Sequence, residues 1–135
     1  ESQLEIIEEG SIAKTSLREL YFPSQLFELQ EGWCKSSAKL NRITVSSNNK
    51  HFKSVDDKMI VGKSNDLDDD FDILVFAPRD IKEAIIPSSI KEIAEYSFSC
   101  CKNLESVQFS KDSKLSNINK KAFVLKNNCY TFDEI

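Results

Sequence analysis

The residues of this sequence whose types could do chemistry are four cysteines, one histidine, a run of aspartates and a Gly-Lys-Ser triplet. Cys34, Cys100, Cys101 and Cys129 invite a disulfide or metal reading and neither fits well: Cys34 and Cys129 fall in apolar core columns, vicinal pairs seldom bridge, and no Cys-x-x-Cys spacing suited to zinc is present. The vicinal pair Cys100-Cys101 is expected in a turn after Phe98, where Cys101 is placed to face solvent and react. Asp66, Asp68, Asp70 and Asp72 alternate like the start of a calcium loop, yet the sixth position of such a loop holds Phe71 rather than Gly, and the twelfth holds Ala77 rather than Glu. A solvated tip is the simpler reading. Gly62-Lys63-Ser64 resembles the end of a phosphate-binding loop whose first glycine is replaced by Asp57. His51 stands beside Phe52 with no serine or cysteine nucleophile in a recognisable local signature. Among 22 acidic residues, proximity nominates no acid-base pair. The expectation is a protein without catalytic residues, cofactor or metal.

The chain has 135 residues, 40% of them apolar, enough for one continuous core. A formal charge of −4 gives no electrostatic reason for a nucleic-acid partner. No apolar stretch approaches the roughly 20 residues that span a bilayer, and no segment has the charged-then-apolar pattern of a signal peptide. Lys111, Lys114, Lys120, Lys121 and Lys126 give the last part a basic bias that reads as a solvated face.

The elements that would position such groups follow from a repeat. Leu4 and Ile7, Leu26 and Leu29, Phe52 and Val55, Ile90 and Ile93, and Leu115 and Ile118 share one three-residue step. Four residues after each pair comes a dipeptide with an apolar second member: Ser11-Ile12, Trp33-Cys34, Met59-Ile60, Ser97-Phe98, Ala122-Phe123. A triplet spaced three and two then resumes: Leu17, Leu20, Phe22; Leu40, Ile43, Val45; Ile81, Ala84, Ile86; Leu104, Val107, Phe109; Cys129, Phe132, Glu134. Of the 30 positions in these six columns 29 are apolar, where composition alone gives about 12. Pro23, Ser46, Pro87 and Ser110 each close a triplet.

Each unit reads as one coil of a solenoid, because a single coil cannot bury its own apolar face and must stack on its neighbours. Alternation in Leu20-Tyr21-Phe22, Ile43-Thr44-Val45 and Val107-Gln108-Phe109 predicts short strands lined up in a parallel sheet. Segments such as 93–104 are too short for long helices and are expected to hold a helical turn or irregular backbone. The coils fall at 4–25, 26–51, 52–89, 90–114 and a partial 115–135, forming one domain. The third is expanded at 59–80, where apolar 59–61 and 73–76 flank a polar run and predict a hairpin standing off the solenoid.

With these columns placed, the sequence resembles the BspA-like class of leucine-rich repeat proteins. Ile86 to Phe109 (IPSSIKEIAEYSFSCCKNLESVQF) is similar to that family's unit, and NNKHFKSVDDKMIV followed by DILVFAPRD resembles its degenerate repeat with a hairpin. Ile12 and Cys34 stand where the family prefers Phe, and Cys129 where it prefers Leu. The resemblance implies a leucine-rich repeat solenoid: a strand-rich right-handed superhelix with short helical turns and an inserted β-hairpin. It also implies a surface antigen or adhesion module at the cell surface, binding a protein or host-surface ligand.

The face that would bind lies between the core columns. By spacing its outward residues are Glu19 and Tyr21, Arg42 and Thr44, Glu83 and Ile85, Ser106 and Gln108, and Thr131 and Asp133, with Tyr21 and Ile85 as the anchors. A purely structural alternative, a spacer within a longer array, is suggested by the lack of a polar closing element at either end of the sequence. Unprotected end coils would also permit end-to-end self-association.

Overall fold

The computed structural model describes residues 5–8, 17–35, 37–65, 67 and 69–123. Leu4, the 11–12 dipeptide, Asp66, Asp68, Lys126 and the triplet from Cys129 onward, with Thr131 and Asp133, lie outside that set. The strands are β1 (Ile6–Ile7), β2 (Glu19–Phe22), β3 (Glu28–Leu29), β4 (Arg42–Val45), β5 (Phe52–Val55), β6 (Met59–Gly62), β7 (Ile73–Phe76), β8 (Glu83–Ile86), β9 (Glu92–Ile93), β10 (Ser106–Phe109) and β11 (Asn117–Ile118). They wind into a β-solenoid.

The columns of the sequence become the register of the sheets. Leu20 pairs with Ile43 and Phe22 with Val45 in parallel β2-β4. Likewise Ala84 pairs with Val107 and Ile86 with Phe109 in parallel β8-β10. On the other face Ile7 pairs with Leu29 and Ile93 with Ile118. A one-residue slip would turn every buried side chain to solvent, so the apolar period fixes these pairings. The closing residues found in the sequence each open a four-residue turn: Leu26, Asn49, Ile90 and Ser113 donate their amides to the carbonyls of Pro23, Ser46, Pro87 and Ser110.

The predicted helical turns are absent: no helix occurs among the described residues. At 96–98 the amides of Tyr96 and Phe98 donate to Lys121 and Ala122 of the next coil, so they are not available for i−4 bonds. Tyr96 and Cys100 also take left-handed φ values of 60° and 64°, which interrupt a right-handed turn.

The hairpin is where expected but does not stand off. β6 and β7 pair antiparallel, with an irregularity between Ile60 and Val61. β7 also pairs parallel with β9, and β6 antiparallel with β5, giving a five-stranded sheet in the order β11-β9-β7-β6-β5. All four residues of β6 are buried. Ile60 packs into one core cluster while Met59 and Val61 pack into the other. A strand apolar on both faces loses too much by standing in water, at about 25 cal/mol per Å² of apolar surface, so it is drawn into the wall. Only its tip projects, with Leu67 92% exposed. Leu74, not Val55, consequently pairs with Ile93 in the stack.

Two clusters make the core. Phe22, Trp33, Phe52 and Phe76 anchor the first, with ring centroids 5.6–6.0 Å apart. Ile81, Ala84, Ile86, Ile90, Ile93 and Phe98 lie in the second.

Candidate interaction face

The outward rows stand as the spacing requires. Register places Glu19 beside Arg42, Tyr21 beside Thr44, Glu83 beside Ser106 and Ile85 beside Gln108. Tyr21 is 53% and Ile85 61% exposed while their strand neighbours Phe22 and Ile86 are buried. Ser106 is half-buried and the other five are exposed. The face is not continuous, however. β4 is bonded only to β2, and β8 only to β10, so the rows belong to two separate two-stranded sheets with no ladder joining them.

The break originates in the third coil. Its β5-β6 turn puts Asp56 and Asp57 at φ 57° and 56°, the left-handed pair of a tight hairpin. Asp57 and Lys58 from this turn join Asn41, Asp80, Glu83 and Glu105 around a cleft of about 430 Å³. Elsewhere the strand entry is tied by paired amides: Asn41 and Arg42 both donate to Arg18, and Glu105 and Ser106 both donate to Lys82. At the break the tie comes from Arg79, whose amide donates to the carbonyl of Leu40.

Arg79 is 3% exposed, and every hydrogen-bond acceptor of its side chain is neutral. Nη2 donates to the Cys34 and Tyr96 carbonyls at 2.9 and 3.2 Å and to Ser37 Oγ at 3.3 Å. Nη1 donates to the Ser97 and Ala77 carbonyls at 3.0 and 3.2 Å, and Nε to the Ser37 carbonyl at 3.4 Å. Its guanidinium carbon lies 4.7 Å from the Phe76 ring centroid. Only one residue separates Arg79 from Ile81, whereas five separate Phe98 from Leu104. The third coil therefore lacks the backbone that would present amides to its neighbours, and the planar fork of five N–H donors supplies them instead. Sequence reasoning missed this residue, because a lone Arg in the run Ala77-Pro78-Arg79-Asp80 belongs to no period.

Asn49 was missed as well. Its Nδ2 donates to the Pro23 and Leu26 carbonyls at 2.8 and 3.0 Å, and its Oδ1 accepts from the His51 and Phe52 amides at 2.7 and 2.9 Å. A signal existed: Asn49 stands three residues after Ser46, where the equivalent turns carry Leu26 and Ile90.

The weaker chemical candidates are occupied by structure. A Cβ on Gly62 would lie 3.0 Å from the Phe52 ring, so this glycine serves close packing. Lys63 Nζ sits 4.9 Å from the Phe71 centroid, with Lys53 Nζ at 4.7 Å. Ser64 donates its amide and hydroxyl to the Asp72 carboxylate at 2.8 and 2.6 Å. Burial alone would raise the Asp72 pKa, but the Ser64 donors, its own amide and Lys91 outweigh it and hold the carboxyl below its ordinary value. Asp72 is thus engaged within the hairpin base rather than free at a calcium loop. His51 packs against Phe27, with ring centroids 6.2 Å apart.

Cys34 is buried in its column as expected, whereas Cys101 corrects the sequence reading. It is a free thiol only 1% exposed, its Sγ directed at the Pro78 carbonyl at 3.4 Å. Burial pushes its pKa up to about 11 despite the Arg79 charge, so it is neither exposed nor thiolate-rich. Cys100 is disulfide-bonded, which corrects the expectation against bridges, although with Cys101 free the vicinal pair itself is not bridged, as expected.

Glu95 carries a buried carboxylate oxygen without a hydrogen-bond partner. Burial first, and then the Glu31 carboxylate, raise its pKa above the ordinary 4.5. A carboxyl raised in the folded state contributes most below 4.5, and that contribution is lost as pH rises through the raised value. Glu95→Gln should therefore raise the neutral-pH Tm by a few degrees and flatten the Tm-pH profile above pH 4.5. Parallel profiles for the two proteins by differential scanning fluorimetry would refute this account.

The BspA type Leucine rich repeat region profile matches residues 1–56 and 73–135 in six copies. The omitted 57–72 correspond to the end of the first hairpin turn, β6 and the projecting tip. No curated protein matches the chain. Among solved structures, the pneumococcal vaccine antigen PcpA superposes with a TM-score of 0.78 and 25% identity over 96% of this chain and 31% of its own. A leucine-rich repeat protein from Eubacterium ventriosum gives a TM-score of 0.76 and 23% identity over 91% and 31%. A leucine rich cell surface protein from Faecalibacterium prausnitzii gives 0.62 and 17% over 90% and 34%. The chain thus spans about a third of the length of each. Stacked columns, a β-solenoid and a profile matched on both sides of the hairpin converge on one conclusion: this chain belongs to the BspA-type leucine-rich repeat family.

Proposed function

We propose that the chain is a protein-binding, adhesive segment of a repeat protein displayed at a cell surface, acting through the β2-β4 and β8-β10 rows. The observation that carries this reading is the exposure of Tyr21 and Ile85 in rows that otherwise hold Glu19, Arg42, Glu83 and Gln108. Apolar anchors in a polar field are the usual source of interface energy, and the rigid wall behind them lowers the entropy cost of binding. Two similar structures are described as a vaccine antigen and a cell surface protein, which supports surface display. No helix among the described residues is long and apolar enough to cross a membrane.

The test is binding of the chain to immobilised host epithelial and matrix proteins by surface plasmon resonance. Glu83→Lys with Ile85→Asp is expected to weaken capture at least about tenfold while the unfolding midpoint stays within a few degrees. Unchanged capture would move the site off these rows. A structural-spacer reading is favoured by one fact, that the chain spans about a third of its structural relatives. It predicts no capture by this segment and full capture by the longer protein.

A further inference from the structure

The cleft at the entry to β8, lined by the segments that lead into β4, β8 and β10 and by the β5-β6 turn, differs from the rest of the face in its backbone and in its charge. Everywhere else along this wall neighbouring coils are joined by a parallel ladder. Here β4 is paired only with β2 and β8 only with β10. Unpaired strand edges are templates for an added strand. The cleft volume of about 430 Å³ takes one long side chain with the backbone on either side of it.

Its lining is acidic: Asp57, Asp80, Glu83 and Glu105 against Lys58 and Lys82, four negative charges to two positive, a net −2. No hydrogen bond or ion pair engages those four carboxylates among the described residues. Ile85 lies two residues beyond Glu83 on the same face of β8, and it is 61% exposed.

We infer that this cleft receives an extended segment of a protein partner, added as a strand beside β4 or β8, with an arginine or lysine in the acidic lining and an apolar residue two positions on against Ile85. The inference rests on the reading of the chain as a protein-binding module and names the partner chemistry of that face. Backbone bonding to a free edge supplies affinity whatever the partner's sequence, while the basic and apolar side chains at i and i+2 supply selectivity. A partner with glutamate in the basic position meets the like charges of the lining and is rejected.

Three fluorescent nine-residue peptides test it by anisotropy on the full chain. The first alternates threonine and valine with one arginine and, two positions on, one leucine. The second replaces arginine with glutamate, and the third is the arginine peptide N-methylated at alternate amides. The arginine peptide is expected to bind at least about tenfold tighter than either twin, with affinity falling as salt rises. Asp80→Asn with Glu83→Lys should remove that preference, and bound peptide should slow amide exchange in 42–45 and 83–86. Equal binding of the arginine and glutamate peptides, or undiminished binding of the N-methylated one, overturns the proposal. If no peptide binds while host proteins are still captured through Tyr21 and Ile85, the cleft inference fails and the binding reading stands. If neither peptide nor host protein binds, both fall.

Discussion

Arg79→Ala is expected to lower the unfolding free energy by about 4 kcal/mol, as much as truncating a buried aromatic of the core. The side chain leaves a void beneath Phe76 and removes every bond that its guanidinium makes to the turn at 34–37 and the segments at 77 and 96–97. Those acceptors are not left wholly bare. Ser97 still accepts from the Ala77 amide, Cys34 from Ser37 Oγ, and Ala77 and Tyr96 from cysteine thiols. That retention keeps the estimate near 4 kcal/mol rather than the sum of six charged hydrogen bonds at about 2 kcal/mol each. Arg79→Met, which fills most of the space and donates nothing, should cost about 2 to 3 kcal/mol. Arg79→Lys should fare little better, since one ammonium on a flexible stem cannot reach acceptors spread over three segments. Urea unfolding followed by Trp33 fluorescence reads all three. A methionine variant as stable as the parent would show that Arg79 acts by volume alone.

Asn49→Ala is expected to cost about 3 kcal/mol, because it strips donors and acceptors from both sides of one buried site. The Pro23 and Leu26 carbonyls lose Nδ2, and the His51 and Phe52 amides lose Oδ1. Asn49→Asp makes the sharper experiment. It keeps the acceptor for the two amides but turns a second oxygen toward two carbonyl oxygens, so it should be no more stable than alanine at neutral pH. Protonation supplies one donor, so Asn49→Asp should recover stability relative to alanine as pH falls below about 5. An aspartate variant as stable as the parent at pH 7 would assign the role of Asn49 to its acceptor side only.

The two residues explain why the third coil is the place where sequence and structure part. The columns at 17–34, 40–45 and 81–109 were legible because each position repeats a constraint: an apolar side chain pairs with its counterpart one coil away. The outward rows were legible for the same reason, since a period of two leaves the intervening side chains to solvent. The hairpin pairing was legible too, but its place in the wall was not. Met59, Ile60 and Val61 look like an ordinary apolar strand until two separate core clusters are seen to claim its two faces. Cys101 misled for a similar reason. A turn position argues for exposure, yet the coils stack closely enough to bury the thiol completely.

What the sequence determined by itself is the periodic part of this protein: the solenoid, the strand register, the turn positions and the outward rows with Tyr21 and Ile85. Such features follow from local spacing, and stacking repeats the same test at every coil. Tertiary structure alone decided the features that occur once. These are the ladder break between β4 and β8, the guanidinium that ties coils across a shortened turn, the buried Asn49 and the acidic cleft. Each depends on groups from segments far apart in the chain, Asn41 with Glu83 and Glu105, or Cys34 with Arg79 and Tyr96. A polar residue's partner is set by where the backbone brings it, and no spacing within one segment encodes that position.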